Sequence, residues 1–402
     1  MCTVAAPATA ASSPSAIELA DIVRAHGDAY RRTHRLALVQ QQALRAIATC
    51  RTAALGGHTE TCDRCGITRS AYNSCRNRHC HKCQHAAQAT WLAARQAELL
   101  PMPYFHVVFT LPHALNALAQ GNPRVLYAAL FRAAADTLLA FGHDPRHLGG
   151  TIGVTAILHT WGQNLSQHLP LHCVVTGGAL APAGTRWIAA KDGFLFPVRA
   201  LSVVFRAKYL AALQQAFAAK RLTFAAGTVD LAQADVCERF VAALRTTPWV
   251  VYAKRPFGGP AQVLRYLGRY THRVAISNAR LVDLRDGTVR FRWKDYADHD
   301  RDKVMALSAD EFLRRFLIHV VPRGFVRIRY FGLLANRQRR ASLARCRAVL
   351  AAPTPASVPE PPPITSAEPS FAGARCPYCG VGVMRVTAVH VAERRPVPGD
   401  SS

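Results

Sequence analysis

Residues 151–176 read TIGVTAILHTWGQNLSQHLPLHCVVT. Two runs inside it, Thr151–Thr160 and Leu171–Thr176, are rich in Val, Ile, Leu and Thr, and the second ends at Gly177 and Gly178. Side chains of this kind pack well on a pleated surface, so both runs are expected as strands. Upstream, Tyr104–Leu111 (YFHVVFTL) has the same character; downstream, Val289–Trp293 and Val326–Tyr330 read as late strands. Helical periodicity covers Ile17 to about Cys50, Ala86–Leu100 (stopped by Pro101 and Pro103), residues 114–141 and most of 199–246, with Ala261–Tyr270 as a short helix. Strands and helices in this order, with hairpin-like returns, predict an α+β fold with an antiparallel sheet.

The chain has 402 residues, 50% apolar and 8% aromatic, enough for a sizeable core. Its 50 Lys and Arg against 24 Asp and Glu leave a net charge of +26. That excludes a generic acidic enzyme and a wholly disordered chain. It points to a polyanionic partner, nucleic acid before an anionic membrane. The most apolar helical window, Leu126 to Phe141, carries Arg132 and Asp136 and reads as amphipathic, so no membrane partner is expected. Residues 1–16 hold no Lys or Arg, unlike the basic start of a secretory leader, and read as a disordered tail. A cytoplasmic location is expected, where 12 cysteines favour metal binding over disulfides. Residues 352–374 are rich in Pro, Ala, Ser and Glu and read as a linker.

Residues 56–85 combine many Cys and His with little apolar pattern, and such a segment needs a metal to fold. Cys62-Asp-Arg-Cys65 is followed by Cys80-His-Lys-Cys83. Each pair bends around one ion, and two such knuckles complete a tetrahedral thiolate site for structural zinc. Cys62, Cys65, Cys80 and Cys83 are therefore the expected ligands, with Cys75, His58, His79, His81 and His85 able to substitute. A redox CxxC without metal is the alternative. Cys376-Pro-Tyr-Cys379 is half of a similar site whose partner knuckle is not evident, and Cys50 is expected as an ordinary thiol.

The segment RYLGRYTHR (265–273) sets Tyr266 and Tyr270 among Arg265, Arg269 and Arg273. On a helix the two tyrosines share a face. A phenolic oxygen can attack phosphorus, and neighbouring guanidinium groups can grip phosphate oxygens. Packed tyrosines beside phosphate-gripping arginines are the other reading. His168 and His172 stand four apart in the third strand, roughly 13 Å along an extended chain, which is too far for easy sharing of a metal. Pro170 between them opposes a helix.

Taken together, AYNSCRNRHCHKCQ (71–84), PYFHVVFTLPH (103–113), LHTWGQNL (158–165), HCVVTGGAL (172–180), YLGRYTHRVAISN (266–278), FRWKDY (291–296) and FLIHVVPRGFVRIRYFGLLAN (316–336) resemble a rolling-circle insertion-sequence transposase. The branch is that of the HUH (two-tyrosine) endonuclease superfamily carrying an N-terminal zinc-binding domain. The resemblance implies a zinc-binding domain over 17–100, a catalytic domain over 101–350 with an HUH-type antiparallel sheet, and a C-terminal segment 351–402 of linker, half knuckle and tail. It implies nicking and joining of single-stranded DNA at element ends, Tyr266 and Tyr270 as nucleophiles, and Mg²⁺ or Mn²⁺ as Lewis acid. No obligatory protein partner is implied. The family's His-hydrophobe-His pair matches His172, but Pro170 occupies its first position, so His168 is expected to substitute if the strand bulges; His159 in LHTW and His106 in FHVVF are further candidate ligands, with a packed histidine the stronger reading of each. A remnant that binds DNA without cutting it is the alternative. Arg265, Arg269, Arg273, Arg323, Arg327 and Arg329 are candidate DNA-backbone contacts, and Trp293, Tyr296 and Tyr330 candidate stacking platforms.

Overall fold

The N-terminal helical pattern becomes two helices, α1 (Leu19–Thr33) and α2 (Leu38–Thr49), in the computed structural model, which describes residues 17–191, 193–225, 227–254, 262–263, 268, 275–296, 298–350 and 374–392. Each helix buries one stripe, with Leu19, Ile22, Val23 and Tyr30 on α1 and Ala43, Leu44 and Ile47 on α2. A hairpin follows, β1 (Gly57–Cys62) and β2 (Thr68–Tyr72), and then α3 (His81–Ala97). The helix starts five residues earlier than its apolar pattern does.

The central layer is a five-stranded sheet. Its strands are β3 (Tyr104–Thr110), β4 (Gly153–Leu158), β5 (Pro170–Thr176), β8 (Val251–Lys254) and β12 (Ile328–Gly332), in spatial order β12-β4-β5-β3-β8, all antiparallel. Between β3 and β4 lie α4 (Asn116–Gly121) and α5 (Pro123–His143); between β5 and β8 lie a small hairpin, β6 (Gly178–Leu180) with β7 (Trp187–Ala189), and helices α6 (Val198–Ala218) and α7 (Ala234–Thr246). Pro123 opens α5 at a position whose N–H has no helical acceptor in any case.

Strand alternation gives the sheet two faces. One face, with Phe105, Val107, Phe109, Val154, Ala156, Leu171, Cys173 and Val175, packs on α5 and α6 in the largest core. Burying each such aliphatic or aromatic side chain contributes about 1.5–3 kcal/mol. Helix α5 is long and apolar enough to cross a membrane, but its apolar side chains Leu126, Leu130, Phe131 and Leu138 are spent in this core. The opposite face carries Tyr104, Ile157 and Val174, covered by Trp91 and Leu99 from the α3 region, Val263, and Leu343 and Cys346 of a later helix.

A second core joins α1 and α2 to a three-stranded meander, β9 (Leu281–Arg285), β10 (Thr288–Asp295) and β11 (Arg301–Ser308), and to α8 (Ala309–Leu317). Ser308 caps α8 by accepting a hydrogen bond from the Glu311 N–H. Helix α9 (Arg339–Val349) then packs on the second sheet face, and Glu98 accepts from both Arg95 (2.9 Å) and Arg339 (3.1 Å) at that junction. The expected C-terminal tail is ordered in part: β13 (Met384–His390) pairs antiparallel with β1, giving the sheet β13-β1-β2. Residues 1–16 and the Pro-rich 352–373 lie outside the described residues.

Candidate active site and metal centres

The cysteines sort differently from their spacing. Cys62 and Cys65 face Cys376 and Cys379, while Cys80 and Cys83 face Cys50 and Cys75. The expected set Cys62, Cys65, Cys80 and Cys83 is therefore corrected to two tetrads. The pairing of β13 with β1 carries Cys376 and Cys379 to the first knuckle, and the core that α2 shares with Cys80 and Cys83 brings its C-cap residue Cys50 to the second.

In the inner tetrad the sulfurs of Cys50 and Cys75 lie 3.6 and 3.5 Å from that of Cys83. Cys80 precedes the first residue of α3, and Cys83 sits in its first turn. Hydrogen bonds from the neighbouring thiols, Cys75 first, hold the Cys80 thiol down at about 5. Cys50, Cys75, Cys80 and Cys83 all belong to or pack on the second core. His79 is not needed as a ligand: its Nε2 accepts from the Val321 N–H, and burial pushes its pKa down to about 3. Four sulfurs in contact range, with no further donor required, suit a closed structural zinc site.

On the second face of the five-stranded sheet, three imidazoles converge on the central strand. His172 on β5 meets His106 on β3, Nδ1 to Nε2 3.0 Å, with rings stacked at 5.2 Å. His159, one residue past β4, lies 4.3 Å from the His172 ring centroid. These two partners come from flanking strands, where register and alternation turn them to the same face as His172. His168 is not one of the three. The β3–β5 register runs unbroken from Thr110↔Pro170 to Tyr104↔Thr176, so no bulge in β5 shortens the separation of His168 from His172, and the His168 ring meets His113 at 6.0 Å. Burial holds His172 well below its ordinary pKa and His106 at about 4, so both are neutral with a lone pair on the ring. Among the described residues no three His, Asp or Glu donors lie within 4.8 Å of one another here. The imidazoles offer nitrogen donors, which Mn²⁺ accepts more readily than the strictly oxygen-seeking Mg²⁺.

Tyr266 and Tyr270, with Arg265, Arg269 and Arg273, lie outside the described residues. Their described neighbours Val263 and Gly268 sit on the histidine side of the sheet. Val263 is buried with Tyr104, Ile157 and Val174, and the Gly268 carbonyl accepts from Gln88 of α3.

The arginine candidates divide. Arg327 is only 6% exposed and stacks 5.9 Å from the Trp161 ring, with burial and Arg78 lowering its pKa to about 9. It is a packing residue, not an outer arm. Arg329 lies over Phe131 at 4.3 Å and lines a cleft of about 630 Å³ with Arg124, Arg132 and Arg221, on the α5 side and away from the histidines. Tyr330 is likewise committed: its hydroxyl accepts from Trp91 (3.0 Å) and Arg95 (2.7 Å). Tyr296 remains 62% exposed.

Comparison with known proteins gives consistent matches. A family model described as "Putative transposase" matches residues 153–342, and one described as "Transposase zinc-binding domain" matches residues 22–111. The chain is 54% identical over 373 residues to "Putative transposase y4qJ" of Sinorhizobium fredii, covering 91% of this chain and 94% of that one. It is 29% identical over 360 residues to "Transposase for insertion sequence element IS801" of Pseudomonas savastanoi pv. phaseolicola, covering 87% and 84%. No solved structure matches it.

Proposed function

The chain belongs to the insertion-sequence transposases of the HUH superfamily with an N-terminal zinc-binding domain, and on that premise we propose that it nicks and rejoins single-stranded DNA at element ends through a phosphotyrosine. The observation that carries this reading is the cluster of His106 and His159, from the flanking strands, around His172 on the central one, on the side of the sheet where Val263 and Gly268, the described neighbours of Tyr266 in sequence, lie. In this reading the Tyr266 or Tyr270 oxygen attacks the scissile phosphorus. The new oxygen–phosphorus bond replaces the bond to O3′, which leaves and takes up a proton as a free 3′ hydroxyl. A 3′ hydroxyl later attacks the phosphotyrosine and releases the phenol, which reseals the strand.

His172 with His106, whose ring nitrogens already lie 3.0 Å apart, would supply nitrogen donors to the divalent ion, which when bound would polarise the non-bridging phosphate oxygens. Burial keeps the His106 and His172 imidazoles neutral and so available as donors. Arg265, Arg269 and Arg273 would grip the backbone phosphates. The inner cysteine tetrad would hold structural zinc and fix α3, whose Gln88 bonds the Gly268 carbonyl in the tyrosine segment. The expected setting is the cytoplasm, at the nucleoid.

A labelled oligonucleotide carrying an element end tests this. With Mn²⁺ it should become covalently joined to the protein, and the Tyr266→Phe/Tyr270→Phe double variant should form no adduct. An adduct that survives the double replacement removes both tyrosines from the chemistry.

A further inference from the structure

We propose that Cys62, Cys65, Cys376 and Cys379 hold a second structural zinc ion, and that this ion clasps the C-terminal segment 374–392 onto the N-terminal hairpin. The sulfur geometry is the first support. Cys62 and Cys379 sulfurs are 3.8 Å apart, and Cys65 and Cys376 sulfurs 3.7 Å apart. A tetrahedral site with zinc–sulfur bonds of about 2.3 Å has edges of about 3.8 Å, whereas a disulfide needs about 2.05 Å. Backbone N–H groups of Arg64 and Cys65 point at the Cys62 sulfur, and that of Gly382 points at the Cys379 sulfur, as two facing knuckles should.

The packing gives the second support. The buried apolar cluster of this ribbon is Cys62, Cys376 and Met384, with Cys379 against it. Val389 is 75% exposed and Val391 85%. A core of that size cannot fix a strand by apolar burial, so the fastening must come from elsewhere. Ion binding would exchange four thiol protons for one Zn²⁺, leaving no open coordination position, so the role is structural. The strand approaches closely enough that a Cβ on Gly382 would lie 2.5 Å from the Cys62 sulfur. Asp63 then accepts from the Val383 N–H at 2.8 Å and pairs with Arg385, which locks the register. The zinc-binding family match ends at residue 111, so half of this site lies beyond it.

Zinc content and amide hydrogen exchange on the full chain test the clasp. The protein should carry two zinc ions per chain, and the Cys376→Ser/Cys379→Ser variant one. In the variant, exchange at residues 384–390 should accelerate at least a hundredfold while β5 stays as protected as in the unaltered chain. Because substitution can disturb folding, stepwise removal of zinc from the unaltered protein with a chelator supplies a second readout. The first ion lost should release 384–390 and leave α1 and α2 protected. Two zinc ions retained in the variant, undiminished protection of 384–390 after both ions are removed, or an intact mass showing two disulfides in place of the second ion would each overturn the proposal.

Discussion

Arg327 shows how burial changes the meaning of a basic residue. A guanidinium 6% exposed and stacked on Trp161 contributes packing and fixed charge inside the molecule. Arg327→Ala should therefore lower unfolding free energy by about 2 kcal/mol or more. Chemical denaturation measures it, and a variant as stable as the parent that only binds DNA more weakly would contradict the assignment. The sequence shows charge but not burial, which is why Arg327 and Arg329 look alike there. The cysteines repeat the lesson. CxxC spacing identified Cys62, Cys65, Cys80 and Cys83 as ligand types, yet all such pairs are chemically equivalent, and long-range packing decides which pair meets which. Cys75 belongs to no CxxC pair and was legible only as a possible substitute beside Cys80, and Cys50, thirty residues upstream of Cys80, carried no spacing signal at all.

Among the elements, β3, β4 and β5 were legible because β-branched and aromatic residues fill them, and their observed bounds differ from the expected ones by one or two residues. The meander was legible only in its middle strand. A sharper signal was present at Asp286-Gly287, both at positive φ between β9 and β10, the signature of a tight hairpin. Strand β13 was hidden because its sequence MRVTAVH is short and follows a Pro-rich stretch, and its pairing partner β1 lies more than 320 residues upstream, Met384 facing Cys62. The neighbours of His172, His106 in FHVVF and His159 in LHTW, were legible as candidates, but packed histidines were the stronger reading of each, because only the pairing of their strands with β5 brings them to His172. Pro170 begins β5 on the same face as His172, about 7 Å away by strand alternation. Pro170→His should add an imidazole beside the cluster and raise metal-dependent nicking severalfold in a single-turnover assay. Unchanged nicking at limiting Mn²⁺ would mean that the present imidazoles already suffice.

At the scale of the whole molecule, a net charge of +26 on a transposase implies binding driven by counterion release. If about five phosphates are neutralised, the logarithm of single-strand affinity should fall with the logarithm of salt with a slope of about −3.5. A flat dependence in a filter or fluorescence titration would contradict a phosphate-gripping surface. The two cores then have distinct tasks. One carries the five-stranded sheet on α5 and α6; the other ties the inner cysteine tetrad and α1 and α2 to the meander and α8. The sheet turns its histidine face toward α3 and the described flanks of the tyrosine segment. The most direct measurement is anomalous scattering from crystals soaked in Mn²⁺. The account predicts one peak within coordination distance of the His172 ring and within a few ångströms of the Tyr266 or Tyr270 hydroxyl. Both phenols lying on the α5 side of the sheet, or a peak remote from His172, would contradict it.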